Sequence, residues 1–164
     1  ENAGKLSKFA FLPRLEKHIL VDFACAPRNY VIAARSHFDR NEIRESLAKS
    51  RQALESLTKG KVWQYVNRHG DGNLSLKLRS AKAPIELRNL TEQLKCKIAK
   101  PDFNDTNKIK ILNPIERLLG LNGNSREWLY LNKGTHEESD RAEFDRHTVE
   151  VIVDSLDSLD SALK

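Results

Sequence analysis

The chain has 164 residues, of which 39% are hydrophobic and 31% charged, and its net charge is +5. This length suits one domain and is too short for two well-cored ones. The hydrophobic content excludes a chain that is disordered throughout, and no apolar run approaches the roughly 18 residues of a membrane span.

The first residues, 1–4, have neither the charged nor the apolar region of a signal peptide, and the chain contains no methionine. We therefore expect a cytoplasmic piece of a longer polypeptide. Cys25 and Cys96 are isolated from each other in the sequence, which is typical of a reducing compartment. A disulfide between them has no secretory signal to support it.

The charge is distributed unevenly. Residues 135–164 carry nine acids and three bases, a net charge of −6, which leaves +11 for the rest of the chain against the total of +5. This asymmetry indicates either internal charge complementarity or two faces for different partners. A solvated polar helix face is a third interpretation.

The N-terminal part of the chain contains two ambiguous apolar segments. Pro13 suits a first helical position, and the apolar residues that follow it have helical spacing, which predicts a helix over residues 14–25. Residues 18–24 would equally suit a buried strand. Residues 29–35 are compatible with a helix or a strand.

Asp39 and Glu42 form a capping-box pattern, which predicts that a helix starts at Asp39. Its apolar stripe consists of Ile43, Leu47, Leu54 and Leu57. Lys59-Gly60 is expected to end this helix, and a second helix is predicted from Lys61 to about Arg68.

The middle of the chain changes its periodicity. Residues 74–78 alternate leucine with polar residues, which predicts a short strand or an extended loop. A helix is predicted from Pro84 to about residue 99, followed by a surface loop over residues 101–110. A short helix should then start at Asn113-Pro114 and end at Gly120.

The last part of the chain is predicted to be a structural turn, in the W-L-Y-L-N-K-G-T-H stretch, followed by a long helix. Asp140 as N-cap and Glu143 three residues later predict its start, and it should run to about Leu163. Its buried stripe is expected to contain Phe144, Thr148, Val151, Ile152, Leu156, Leu159 and Leu163. The D-S-L-D-S-L-D-S run has a period of three, so its aspartates should follow one edge.

Together these elements predict a mainly α fold, a single helical domain over residues 1–164 with five to six helices and at most a small β element. The chain lacks the G-x-x-x-x-G-K-S/T phosphate loop and the G-x-G-x-x-G dinucleotide motif. It also lacks the H-E-x-x-H pattern and zinc-type His/Cys spacing. We expect neither a cofactor nor a metal.

Two sets of residues suggest chemistry. Arg141 and His147 form an R-x5-H arrangement similar to the R-x4–6-H motif of the HEPN ribonucleases, helical bundles in which a guanidinium holds the phosphate and an imidazole transfers the proton. The second set is basic with interleaved aromatics, a composition that favours nucleic-acid binding, although a solvated basic surface would look the same. It contains Lys59, Lys61, Trp63, Arg68, Lys77, Arg79 and Lys82.

Three segments carry a family likeness: residues 44–57, 129–137 and 143–149 resemble the helical C-terminal region of bacterial SMC/RecF-like (ABC-type) ATPases, many of which act in phage defence. The resemblance implies that an ATPase core lies upstream and that this chain is a non-catalytic accessory domain. Its expected partners are the parent core or another protein, a second copy of the chain, or DNA or RNA, and not a membrane. The alternative function is a helical ribonuclease that uses Arg141 and His147.

Overall fold

The structure is a computed structural model that describes residues 27–70, 75–77, 80, 86–120, 124–134 and 144–164. Within these ranges the chain is helical and contains no strand, so the predicted mainly α class is confirmed. None of the described helices combines the length and the hydropathy needed to cross a bilayer. The helix predicted over residues 14–25 lies outside the described residues.

The helices follow one another in this order. They are α1 over residues 27–39, α2 (Ile43–Leu57), a π-helical segment (Thr58–Val62), α3 (Trp63–His69), α4 (Leu87–Ala99), α5 (Lys108–Leu119), α6 (Arg126–Lys133) and α7 (Arg146–Ala162). Because α2, the π segment and α3 form one uninterrupted helix, the described chain contains six helical rods, in agreement with the five to six expected.

The predicted capping box at Asp39 is wrong. Asp39 belongs to the end of α1, and the turn to α2 passes through Asn41, whose φ of 62° is positive. Glu42 is the N-cap of α2 but makes no side-chain cap bond; its carboxylate instead lies 2.5 Å from Nδ1 of His37 and 2.9 Å from the guanidinium of Arg40. Glu42 therefore pairs with His37 and Arg40 at the α1–α2 turn and does not cap a helix.

Gly60 does not end the helix, contrary to the prediction. The backbone passes through a π-helical turn there and continues to His69, before Gly70. Glycine inside a helix is unfavourable by only about 1 kcal/mol. Leu57 and Val62, which flank it and are at most 1% exposed, supply more packing energy than that.

The α4–α5 region differs in two ways from the prediction. Residues 101–110 are not all surface loop, because Phe103 is buried and α5 already begins at Lys108. Pro114 lies inside α5 rather than at its start, and its missing N–H removes the helical hydrogen bond to the carbonyl of Lys110. Gly120 ends α5 at a φ of 76°, as its sequence position predicted. Of the 74–78 alternation, the described part, residues 75–77, has no regular structure.

The W-L-Y-L-N-K stretch is helical, and the turn follows it. Ser125 is the N-cap of α6, and its hydroxyl accepts a hydrogen bond from the Trp128 amide at 2.9 Å. The guanidiniums of Arg51 and Arg88 lie over the buried Trp128 ring, 5.6 and 5.5 Å from its centroid. At Gly134 an added Cβ would come within 2.6 Å of the Leu47 side chain. Glycine there lets the end of α6 approach α2 closely.

The final helix starts later than predicted. Its N-cap is Asp145, whose carboxylate accepts the Thr148 amide at 2.9 Å, so the start at Asp140 is wrong for α7. Of the expected stripe, Thr148, Ile152, Leu156 and Leu159 are buried, and Phe144, Val151 and Leu163 are half-buried. The fully buried Val149 and Val153 were not predicted. α7 packs against α5, α2 and α6, and α5 packs against α4. The largest fully buried side chains are Leu47, Leu54, Leu57, Leu94, Ile98, Ile111, Ile115, Leu118, Leu119, Leu131, Ile152 and Leu156.

Candidate nucleic-acid interface

The D-S-L repeat of α7 gives this helix three different edges. Its leucines, Leu156 and Leu159, are fully buried in the core. Its aspartates and serines occupy the two flanks, since residues one apart on a helix are separated by about 100°. The aspartates face α1 and the π segment, and the serines face α5.

The aspartate edge is neutralised from within the molecule. Asp154 pairs with Arg35 of α1. Arg28 of α1 lies 2.6 Å from Asp157 and 3.3 Å from Asp160. The acids on this edge of α7 are therefore neutralised by basic residues of the same chain, which is the internal charge complementarity considered from the sequence.

Asp160 is the most deeply placed of these acids. Its side chain is 0% exposed, and its second oxygen lies 2.6 Å from Nζ of Lys61 in the π segment. A buried carboxylate is tolerated when cations satisfy it from both sides, as Lys61 and Arg28 do here. This ion pair joins α7 to two other helical segments.

The serine edge of α7 borders an open groove of about 900 Å³. The opposite wall belongs to α5, where Lys110 and Arg117 lie two turns apart on one edge. Neither of these two cations has an ion-pair partner among the described residues. The groove is lined by Asn107, Lys110, Asn113, Pro114, Glu116, Arg117, Asp154, Ser155, Ser158, Ser161, Ala162 and Lys164.

A smaller cavity of about 180 Å³ adjoins the groove, because both share Asn107, Ala162 and Lys164 in their walls. Its remaining lining is more varied and includes an aromatic ring, an imidazole and a carboxylate. These residues are Lys61, Gln64, Tyr65, Arg68, His69, Asp105 and Leu163. The groove and the small cavity lie side by side over α3, α5 and α7, and together they are called the polar depression.

Tyr65 and Asp105 form the best-defined contact of the small cavity. The phenol donates to the Asp105 carboxylate at 2.5 Å. Burial, followed by this hydrogen bond, raises the pKa of Tyr65 well above its usual range. The same bond lowers the pKa of Asp105. At neutral pH the phenol therefore keeps its proton and the carboxylate its charge, which makes the pair a fixed donor–acceptor contact and not a proton relay.

The basic residues singled out in the sequence do not share one face. Lys59 and Lys61 are two residues, about 200°, apart on the helix. Lys59 pairs with Glu55, and Lys61 with the buried Asp160. Trp63 is half-buried and packs against the core.

The other members of that set lie elsewhere. Arg68 is exposed and lines the small cavity. Lys77 is exposed, and its backbone bonds the Gln93 amide in both directions, at 2.8 and 2.9 Å. Arg79 and Lys82 lie outside the described residues. Of the predicted set, the structure brings Lys61 and Arg68 together at the small cavity.

Of the predicted ribonuclease pair, Arg141 and His147, the structure describes only His147. His147 lies in the first turn of α7 with 79% of its side chain exposed, and its Nδ1 is 3.8 Å from Glu150. Arg141 lies outside the described residues. No group of three or more His, Cys, Asp or Glu side chains that could hold a metal occurs within the described ranges.

Reasoning from sequence missed Lys110, Arg117, His69 and Asp105 as site residues. The available signal was the spacing of seven between Lys110 and Arg117, which places two cations on one helix edge. The prediction placed Lys110 in a loop over residues 101–110 and Arg117 in a helix that starts at Pro114. The two residues were therefore not recognised as members of one helix. His69 and Asp105 are 36 positions apart, and no local pattern connects them.

No family model, curated protein or solved structure matches the chain. The fold and this surface define a mainly α helical domain with a polar, partly basic depression on one side.

Proposed function

We propose that the chain is a helical accessory domain that docks nucleic acid along the groove between α5 and α7. The observation that carries the proposal is the position of Lys110 and Arg117 on one wall of the groove without acidic partners among the described residues. Such cations bind phosphates by releasing condensed counterions, without reading sequence.

The opposite wall supports the same ligand. Ser158 and Ser161 are exposed and carry hydroxyls, which can donate to phosphate and sugar oxygens. The buried Ser155 donates its hydroxyl to the Val151 carbonyl instead. The acid of α7 that lines the groove, Asp154, is paired with Arg35 and so repels a polyanion less than a free carboxylate would. The neutralised aspartate edge is a poorer docking surface for a basic protein partner than its sequence suggested.

We further propose that this helical domain lies beside an ATPase core. This part of the proposal rests on the resemblance of residues 44–57, 129–137 and 143–149 to the SMC/RecF-like ATPases. In this arrangement the core, outside the chain, would hydrolyse the nucleotide. The helical domain would hold the nucleic acid next to it. The chain itself would have no catalytic role.

The proposal is tested by fluorescence anisotropy with a labelled oligonucleotide, between about 50 and 200 mM salt. The double variant Lys110→Glu/Arg117→Glu should bind more weakly, and the slope of log affinity against log salt should fall by about 1.4 for a single strand, about 0.7 per lost phosphate contact. The matched control is Lys95→Glu/Arg126→Glu, with the same change of net charge on residues that line neither cavity.

Equal weakening by the two double variants would show that net charge alone matters and would remove the groove from the proposal. Affinity that does not change with salt would remove nucleic-acid docking altogether. The same reactions, analysed on denaturing gels, test the ribonuclease alternative. RNA cleavage by the unmodified chain that is lost in His147→Ala would replace docking by catalysis.

A further inference from the structure

We infer that the docked nucleic acid is single-stranded and that one unpaired base enters the small cavity, stacks on His69 and directs an amino group to Asp105. This inference rests on the proposed function and specifies its ligand. It also predicts a preference among bases, which docking on phosphates alone does not.

The stacking surface is built from three rings. His69 is exposed, and its ring centroid lies 4.8 Å from that of Tyr65, which in turn lies 5.4 Å from the buried Phe103. The hydrogen bond to Asp105 fixes the Tyr65 ring at its far end. A platform that is already held in place loses little conformational entropy when a base stacks on it.

Asp105, the one carboxylate among the residues that line the small cavity, favours a base over a phosphate at the Tyr65 end of that cavity. The ionised Asp105 repels phosphate and accepts N–H donors. An ionised carboxylate offers about four acceptor positions. The Tyr65 hydroxyl donates to this carboxylate, and Asp105 is only half-buried. The carboxylate can therefore accept a further hydrogen bond, from the exocyclic amino group of a base such as cytosine.

The volumes of the small cavity and the groove indicate which part of the nucleic acid each one holds. The small cavity, about 180 Å³, is below the roughly 300–1,000 Å³ of sites that enclose a whole ligand. It suits one part of a larger molecule, whose backbone then continues into the 900 Å³ groove past Lys110 and Arg117. A base that remains paired in a duplex presents its Watson–Crick edge to its partner strand and cannot enter.

The experiment compares oligocytidine with oligouridine of equal length, which differ by an amino group against a carbonyl oxygen. We expect oligocytidine to bind more tightly, in both ribose and deoxyribose versions, and the duplex with oligoguanosine to bind more weakly than the single strand. Asp105→Asn should remove the difference between the two bases. His69→Ala should weaken single-strand binding by about 5- to 150-fold, the range for one stacked base.

His69 is exposed, so His69→Ala is expected to fold, and it keeps the inference testable if Asp105→Asn does not. Equal affinities for the two oligomers, together with an unchanged affinity of His69→Ala, would overturn the base subsite. In that case weaker binding by Lys110→Glu/Arg117→Glu would leave groove docking in place. Absence of binding by any oligomer would overturn the proposed function itself.

Discussion

The two flanks of α7 arise from one short repeat and have opposite fates. The aspartates of D-S-L-D-S-L-D-S are bound by Arg28, Arg35 and Lys61 and hold helices together. The serines, one position along, border a groove whose facing cations remain without acidic partners among the described residues. The difference lies in the helix that each flank meets. Which polar flank is available to a ligand is therefore decided by the neighbour and not by the repeat.

The repeat also explains why the three aspartates are not equivalent. Each step of three residues falls about 60° short of a full helical turn, so the series rotates toward the core. The exposed fractions of Asp154, Asp157 and Asp160 are 55%, 49% and 0%. The serines rotate in the same sense, but from the opposite flank this takes them away from the core, from the buried Ser155 to the exposed Ser158. One end of each flank is thus structural.

The largest expected effect comes from breaking the buried end of the aspartate flank. Asp160→Ala should lower the free energy of unfolding by about 3 kcal/mol, because it leaves Lys61 without its counter-charge. This is the lower end for a broken buried pair, since Lys61 and Arg28 are 22% and 44% exposed and reach water. Urea unfolding at neutral pH measures the change.

Asp157→Ala is the matched control on the same flank. It removes a carboxylate that is 49% exposed and should lower the free energy of unfolding by less than about 1 kcal/mol. Equal losses for the two variants would show that the buried position of Asp160 has no special weight.

A smaller effect is expected on the serine flank, on binding and not on stability. Ser158 is exposed and borders the groove. Ser158→Glu should weaken nucleic-acid binding and Ser158→Lys should strengthen it, each by up to about fivefold, since an exposed charge pair contributes up to about 1 kcal/mol. Stability should change by less than about 0.5 kcal/mol in both. Anisotropy titrations measure these affinities. A change of affinity in the same direction for Ser158→Glu and Ser158→Lys would contradict nucleic-acid docking in the groove.

The smallest effect concerns the start of α7, which both flanks share. The hydrogen bonds from Thr148 lower the pKa of Asp145 below its ordinary 3.8. A lowered folded-state pKa means that the cap stabilises above the unfolded value and that this contribution is lost as the pH falls through the folded value. Asp145→Ala should therefore be less stable than the unmodified chain at neutral pH, with a difference that shrinks below about pH 4.

The measurement for Asp145→Ala is urea unfolding over this pH range. Nucleic-acid affinity at neutral pH should not change, because the cap does not line the groove. A stability difference that stays constant into acid would show that the lost contact was not the ionised cap.

The helical class and much of the core were predictable because they depend on local periodicity. Leu47, Leu54 and Leu57 of the α2 stripe are buried as their spacing predicted. Helix boundaries failed where packing outweighed a local signal: Gly60 lies inside a continuous helix, and Pro114 lies inside α5. Because the start of α5 was predicted too late, Lys110 and Arg117 were not expected to lie on one helix.

By itself, the sequence determined that the chain is mainly helical, that its last helix carries acids in steps of three, and that it contains no phosphate-binding loop. These properties follow from spacing along one element. Only the tertiary structure decided that α1 and the π segment neutralise the acids, and that His69 meets Tyr65 and Asp105 beside a cationic groove. Those partners are distant in sequence, and their pairing depends on how whole helices pack.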